Sequence, residues 1–505
     1  MELCRRLTSL PPPHHRHRAR CLAGSSSSPP PQHAEDRISA LPDDMLLVVL
    51  ARLGCASAAA RTAILSRRWG RLWTRLTKAT FRDVQLGALE AALASLGPEA
   101  RLLDICPAGE DDVASDSVSS VLRAAARLLP VELVFTLPQD IIRALDDGDQ
   151  EQLQLPHFHR ATSMELDTPL YMALPPAGEF PALERLCISR WYGVDFAALI
   201  LRCPRLRVLR ARCFGNVPSI KIHSASLEEL VLDKFVVVRR QLDDDGACHI
   251  DIVAPGLKQL TVSFTARTLH YSVSISAPML HNLSWHCWYS PKDFAVGAFW
   301  YVMRLWLTTT TKTTETRPPA ASLGVLANDN SLSMEIYVHR SPMMDAHGNF
   351  AREIEKLPVA DFTILVLYLK LMDQTHVFGP MVTHLLATNQ IRTSTRKLKV
   401  VLDRWSKQVN EACPRDCPCD DEPNKLWRTK TISFPSLEEV EIEGFQGLDD
   451  DLDFLKRIFQ CAPTLKTMTV KLLDNVTPND HGRREIDNTF KKYPFVKCYV
   501  TSVFG

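Results

Sequence analysis

The sequence predicts an α/β protein. A small helical unit lies near the N-terminus, and an array of short, strand-bearing repeats follows it. Three observations carry this reading. Leu46, Val49, Leu50 and Leu53 fall at i, i+3, i+4 and i+7, the spacing of one apolar helix face. A Leu-x-x-Leu-x-apolar pattern, usually preceded by proline, recurs from Phe180 to Val470. The composition, 46% hydrophobic and 23% charged, is that of an ordinary soluble chain with ample material for a core. At roughly 150 residues per domain the 505 residues suggest about three domains, unless a repeat array breaks that count.

Residues 1–34 differ in composition from the rest. They hold Pro11-Pro12-Pro13, a His/Arg run from His14 to Arg20, and Ser25 to Ser28 ahead of Pro29-Pro30-Pro31. Such a stretch buries too little apolar surface to offset ordering entropy, so a disordered tail is expected. Its arginines and scarce acids also fit a transit peptide. Pro11 to Pro13 interrupt the amphipathic helix such a peptide needs, which favours a solvated tail.

Order is expected from about residue 35 to 80. Pro42 suits a first helical turn, and Asp43 and Asp44 complement the positive end of the helix dipole. Gly54 ends this helix. A second helix is predicted from about Ala58, with Leu65, Trp69, Leu72 and Trp73 on one face and Arg67, Arg68, Arg71 and Arg75 around it. Two short helices cannot enclose a large core, so apolar side chains such as Leu41 and Pro42 need a partner.

The remaining chain repeats a short unit. Phe180-Pro-Ala-Leu-Glu-Arg-Leu-Cys-Ile188 recurs from Cys203, Ser224, Ala254, Ala277, Phe434 and Cys461. The leading leucines Leu183, Leu206, Leu227, Leu257 and Leu280 step by 23, 21, 30 and 23 residues, close to the ~20–29 period of leucine-rich repeats. Alternate side chains of each unit point inward on a short strand, and proline stops a preceding helix. Helices are predicted at Phe196 to Arg202 and Leu452 to Gln460. One unit cannot close its own core, so stacking is obligatory. Residues 290–430 are the least regular. Met334 to Val338, Phe362 to Leu369 and Lys397 to Leu402 read as strands of degenerate units, and Thr308 to Thr314 and Asn328-Asp329-Asn330 as loops.

The two ends carry a family resemblance. Asp36-Arg37-Ile38-Ser39, Leu41-Pro42-Asp43, Leu46, Leu50, Arg61-Thr62, Leu65-Ser66-Arg67-Arg68-Trp69 and Leu72-Trp73 resemble a plant-type F-box over about 40 residues. One departure is Gly54-Cys55, where the family usually carries Leu-Pro or Met-Pro. From Phe434 to Val500 the chain resembles the FBD region that closes many plant F-box/leucine-rich-repeat proteins, on Ser436 to Ile442, Gly444-Phe445, Phe454-Leu455, Phe459, Ala462 to Leu465 and Met468 to Val470. The resemblance implies a three-helix F-box at 35–80, an irregular leucine-rich-repeat solenoid at 81–430 and an FBD-like segment at 431–505. It implies docking on a Skp-type adaptor, and through it on a cullin. Leu41, Pro42, Leu46, Leu50 and Leu65 would then lie in or beside the adaptor interface, while Trp69 and Trp73 pin the F-box to the next domain.

Chemistry is sparse elsewhere. Cys413, Cys417 and Cys419 could offer thiolates to zinc. Their C-x3-C-x-C spacing and the lack of an obvious fourth ligand favour a loop of reduced thiols instead. His157 and His159 flank Phe158 on an expected strand and read as a surface pair. The acid runs Asp243 to Asp245 and Asp449 to Asp451 read as loop tips or helix N-termini. The 14 cysteines are scattered and several sit in apolar patterns, so a reducing compartment, cytoplasm or nucleus, is expected. A net charge of +1 argues against nucleic-acid binding by the chain as a whole. No apolar run reaches the ~18 residues of a membrane span. No phosphate loop, nucleophile elbow or zinc-protease motif is present, so neither catalysis nor a cofactor is expected.

The function expected is therefore that of a non-catalytic subunit of an SCF-type ubiquitin ligase, with the repeats holding a target protein. Arg185, Arg207, Glu229 and Lys258, at variable positions of the repeat units, are the candidate target contacts. The alternative is a ligand-sensing or ubiquitination-independent repeat binding module.

Overall fold

The computed structural model describes residue 38 and residues 40–502 apart from 110–114, 139–151, 170, 175–177, 214–215, 218, 238–247, 268–269, 291–293, 297–299, 311–328, 339–349, 360–361, 372–377, 405–431 and 474–480. The tail 1–34, the acids Asp243 to Asp245 and the cysteines Cys413, Cys417 and Cys419 lie outside the described residues. Two compact units divide between Leu46 and Leu47.

A mixed α/β architecture is built on one large sheet, of eighteen strands among the described residues. Lys78–Val84 pairs in parallel with Leu102–Pro107, and the ladder continues through Glu132–Thr136, Ser163–Asp167, Arg185–Trp191, Val208–Cys213, Glu229–Val237, Gln259–Ala266 and Asn282–Tyr289. Trp300–Thr310 then runs antiparallel to each of its partners, Asn282–Tyr289, Ala295–Val296 and Asp329–Val338. Parallel pairing resumes through Ile364–Leu371, Lys397–Arg404, Glu439–Phe445, Thr467–Leu472 and Lys497–Ser502. The predicted strands near Met334, Phe362 and Lys397 all fall in this ladder.

The recurring motif has a clear local geometry. The amides of six leading leucines donate to the carbonyl three residues before: Leu183 to Phe180, Leu206 to Cys203, Leu257 to Ala254, Leu280 to Ala277, Leu437 to Phe434 and Leu465 to Ala462. Proline holds the second place of every one of these turns, where its fixed φ matches the turn and its missing N–H is not needed. Proline thus makes the turn that delivers the leucine to the core, rather than simply stopping a helix. The same turn closes Tyr493-Pro494-Phe495-Val496, a unit that its unusual Val496 conceals in the sequence.

After each turn, one backbone carbonyl receives two amides of the following unit. Thr162 accepts from Glu184 and Arg185, Glu184 from Arg207 and Val208, Arg207 from Glu228 and Glu229, and Glu228 from Lys258 and Gln259. Inward positions alternate with outward ones along each strand. Leu186, Leu209, Leu230, Leu260 and Leu283 stack in register and are buried. Burial of each contributes roughly 1.5–3 kcal/mol against the entropy of ordering the chain.

The returns between strands take two forms. Phe196–Arg202, Asp449–Cys461 and His481–Lys491 return as helices. Between residues 213 and 282 the returns are instead strands, and Ser219–His223, Cys248–Val253 and Tyr271–Ser276 form a second parallel sheet. Ser-Ile-Lys-Ile-His alternates with period two, so it buries Ile220 and Ile222 and exposes the polar residues between them. Phe264 fills the core there, stacked on Phe235 at 5.3 Å and edge-on to Trp285 at 5.3 Å and to Tyr271 at 5.7 Å.

A buried polar anchor holds the helix Asp449–Cys461. Arg404 Nη2 donates to Asp451 Oδ1 at 2.6 Å, and the Gln446 amide donates to Asp451 Oδ2 at 3.0 Å. The side chains are 6% and 1% exposed. Asp449 to Asp451 therefore do begin a helix, and the third acid is turned inward. Gly444 nearby has φ +81°, and a Cβ there would lie 2.2 Å from the Leu402 carbonyl oxygen, so only glycine fits.

Three local expectations are corrected. Thr308 to Thr310 and Asp329-Asn330 are not loops. They are paired strand ends, with Thr309 opposite Asn330; β-branched threonine suits a pleated ladder, and the Thr309 hydroxyl accepts from the Leu283 amide at 3.0 Å. His157 and His159 stack at 5.7 Å outside any strand, beside Phe180. The predicted second helix is broken. Ala56–Arg61 passes into a 3-10 turn at Thr62–Ile64, and a new helix starts at Arg67 with the Ser66 hydroxyl accepting from the Trp69 amide at 3.5 Å. Serine competes with the helix backbone and caps instead.

Candidate functional site

The helical segment ahead of the sheet presents an unusual amount of apolar surface. The helix Asp43–Arg52 begins after Pro42, whose carbonyl accepts from the Met45 and Leu46 amides. Gly54, at φ +72°, ends it in the left-handed conformation. The predicted apolar stripe divides. Leu46 and Leu50 are fully buried, whereas Val49 and Leu53 are exposed, as is Val48. After the second helix, Ile64 is 89% and Leu65 64% exposed. Leu41 is half-buried and Pro42 exposed. Trp69 and Trp73 are half-buried, and Trp73 packs against the main core.

Thus Leu41, Pro42 and Leu65 of the predicted docking residues have surface to offer, while Leu46 and Leu50 serve the interior. Sequence reading missed Val48 and Ile64. Their signal was legible: two adjacent valines, and an Ile-Leu pair directly before a serine cap, cannot all face inward. Scattered exposed apolar residues are ordinary, but several on one short segment point to an interaction surface.

A cavity of about 380 Å3 opens where Leu50, Cys55 and Ala56 approach Lys78, Arg82 and Asp104. Arg82 Nη2 pairs with Asp104 Oδ2 at 2.6 Å. Burial raises the Cys55 thiol, yet amide hydrogen bonds from Ala58 and Arg82 outweigh it and hold the pKa below the ordinary value. In contrast, burial pushes Cys203, Cys213 and Cys287 up to about 12.

The predicted target contacts are mostly engaged with neighbours. Arg207 Nε meets Glu228 Oε1 at 2.8 Å, and Lys258 Nζ meets Glu228 Oε2 at 2.9 Å. Glu228 sits between two cations of adjacent units, and the Arg207 and Lys258 hydrogen bonds lower its pKa to about 2. Glu229 pairs with Arg210 at 2.7 Å. Arg185 is exposed and makes no ion pair among the described residues. The same pattern recurs further along, where Lys399 and Lys471 bracket Glu441, each at 2.9 Å. No group of three metal-ligating side chains occurs among the described residues.

Comparison with known proteins gives this arrangement a context. The chain is similar to a putative F-box/FBD/LRR-repeat protein of Arabidopsis thaliana, 23% identical over 86% of this chain and 89% of the relative. A second F-box/FBD/LRR-repeat protein of that plant is 53% identical over 47 residues, 9% of this chain and 10% of the relative. Both relatives carry F-box/FBD/LRR-repeat names, which supports the likeness of this chain to that plant family. A putative F-box protein of Arabidopsis thaliana is 27% identical over 50% of this chain, which spans only about half (54%) of that relative's length. No family model matches. In this chain the exposed apolar residues Val48, Val49, Leu53, Ile64 and Leu65 precede the sheet in sequence, and an ordered charge ladder lies along the sheet's outward face.

Proposed function

We propose that the chain is the substrate-recognition subunit of an SCF-type ubiquitin ligase. On this reading residues 35–80 form an F-box that docks a Skp-family adaptor, and the adaptor joins it to a cullin. Residues 81–430 form a leucine-rich-repeat solenoid that holds a target protein, and residues 431–505 are the FBD-like close of the array. The chain forms no covalent intermediate. It raises the effective concentration of target and conjugating enzyme by holding both in one assembly, in the cytoplasm or the nucleus.

The observation that carries this reading is the run of exposed apolar residues Val48, Val49, Leu53, Ile64 and Leu65, set in a segment with the F-box motif spacing. The motif spacing assigns Leu41, Pro42, Leu46 and Leu50 to the adaptor interface or its edge as well. The test is co-purification of the full chain with a Skp-family adaptor. Stoichiometric co-elution is expected, abolished by Ile64→Ala/Leu65→Ala and by Leu41→Ala/Pro42→Ala, with melting temperature unchanged in the first pair because both side chains are exposed. Failure of the intact, folded chain to co-elute overturns the proposal.

A further inference from the structure

The reversed strand Trp300–Thr310 carries a group of side chains unlike the rest of the sheet's outward face. Arg304 lies between two indoles, its guanidinium carbon 5.0 Å from the Trp288 ring centre and 4.8 Å from that of Trp306. Trp306 in turn stacks on Tyr368 at 5.5 Å, across Ser333, which is small enough to leave the path clear. Tyr301 and Tyr337 stack at 5.7 Å beside them. His286 leans on Trp288 at 6.1 Å and bonds Ser284 at 2.9 Å. Ser333 is buried and the other side chains of the group are half-buried.

The charges here are unlike those on either side. Arg210, Arg212, Lys370 and Lys399 each meet a carboxylate within ion-pair distance. Arg304 meets none among the described residues, and its Nε is buried without a hydrogen-bond partner. Glu335 is its cross-strand neighbour, but that carboxylate accepts from the Tyr337 hydroxyl at 3.0 Å instead. Both indoles lie within cation–π distance of the guanidinium and restrict its motion. Its edge keeps the N–H donors, whose geometry matches a carboxylate bidentately. Holding the side chain rigid in advance lowers the entropic cost of binding.

We infer that this patch is where the chain grips its target, and that it takes an acidic peptide segment. One Asp or Glu carboxylate of the segment lies on the Arg304 edge, and a neighbouring aromatic or aliphatic side chain lies on the Trp306–Tyr368 surface. Trp, Tyr and Arg are the residue types that dominate binding hot spots. A nucleic acid is the wrong occupant, because among the described residues the flanking cations Arg210, Arg212, Lys370 and Lys399 are already paired with carboxylates and leave little to meet a run of phosphates. The inference rests on the target-holding role proposed above.

The test is selection of random dodecapeptides displayed on phage against the full chain, followed by affinity measurement with synthetic copies of the recovered peptides. Enrichment of Asp or Glu beside an aromatic or aliphatic residue is expected. Affinity should fall by about tenfold or more, as for loss of a charge-assisted bidentate pair, in Arg304→Gln and equally when the peptide's acid is replaced by its amide. Arg304→Lys, which keeps the charge and loses the planar fork, should not restore it. The peptide substitution needs no protein variant, so a folding defect in Arg304→Gln leaves the test intact. Recovery of no peptide, of basic peptides, or of peptides that bind Arg304→Gln equally well overturns the inference. So does a dimer of the full chain that Trp306→Ala dissolves, because the occupant is then a second copy. Adaptor co-purification by Arg304→Gln is expected to match the parent chain, so failure here and failure of the ligase reading are told apart.

Discussion

The two flanks of the reversed strand share one ladder and hold their charges differently. On the N-terminal flank, Arg207, Arg210 and Arg212 pair with acids of the next unit and Lys258 with an acid of the preceding one, on the solvated face. On the C-terminal flank, a similar pattern of lysines and glutamates runs outside, but one pair, Arg404 and Asp451, is taken inside to fix a helix. Between the flanks Arg304 has aromatic rings in place of an acid. One residue type thus does three jobs according to its surroundings: register on the surface, anchorage in the core, and an open hand between them.

The sharpest way to break this comparison is Arg404→Ala. Burial already pushes Asp451 above its ordinary pKa despite the guanidinium beside it. Removing Arg404 leaves that carboxyl buried and uncompensated, which costs about 3–5 kcal/mol. A clear drop in the melting temperature of the full chain is expected, and an unchanged value contradicts the anchoring role. The corresponding change on the other flank, Glu229→Ala, should cost under about 1 kcal/mol, because exposed pairs are screened by water and salt. The difference between parent and variant should shrink further at 1 M salt, as expected when the Debye length falls to about 3 Å. The pH dependence has a definite sign at Glu228. Its folded pKa of about 2 lies below the ordinary carboxyl value, so its stabilising effect is present above that ordinary value and is lost as pH falls toward 2.

The smallest effect sharpens a different contrast. Cys55 should alkylate with iodoacetamide near pH 8 in the folded chain, and Cys203, Cys213 and Cys287 should not until denaturant is added. Peptide mass mapping reads this directly. Equal labelling of Cys55 and Cys287 in the folded protein contradicts it.

Much of the ladder was legible in the sequence because its signal is periodic and local. Leucine spacing located the strands, and Phe196 to Arg202 was read with its bounds unchanged. What escaped was set by context. Thr308 to Thr310 read as a loop from polarity alone, since only a partner strand shows that threonine is paired. The strand returns Ser219–His223, Cys248–Val253 and Tyr271–Ser276 alternate with period two, but lie between stronger leucine signals. In the helical segment ahead of the sheet, the sequence shows which residues are apolar and not how deeply each is buried. The stripe from Leu46 to Leu53 is one face by periodicity, and packing alone decides that Leu46 turns in while Leu53 turns out. The Arg304 group was invisible for a deeper reason. Its members come from four strands, and nothing along the chain brings Trp288, Trp306 and Tyr368 together.

The link from one unit to the next has a consequence for how such a chain can diverge. Where Glu184, Arg207 and Glu228 each receive two amides of the following unit, the bond uses main-chain atoms only. The ladder therefore asks almost nothing of the side chains at those places except that the donors not be proline. Mutation can rewrite the outer face unit by unit while the architecture is inherited intact. The outward face is thereby left free to vary, which makes the array a scaffold on which new recognition can arise without a new fold.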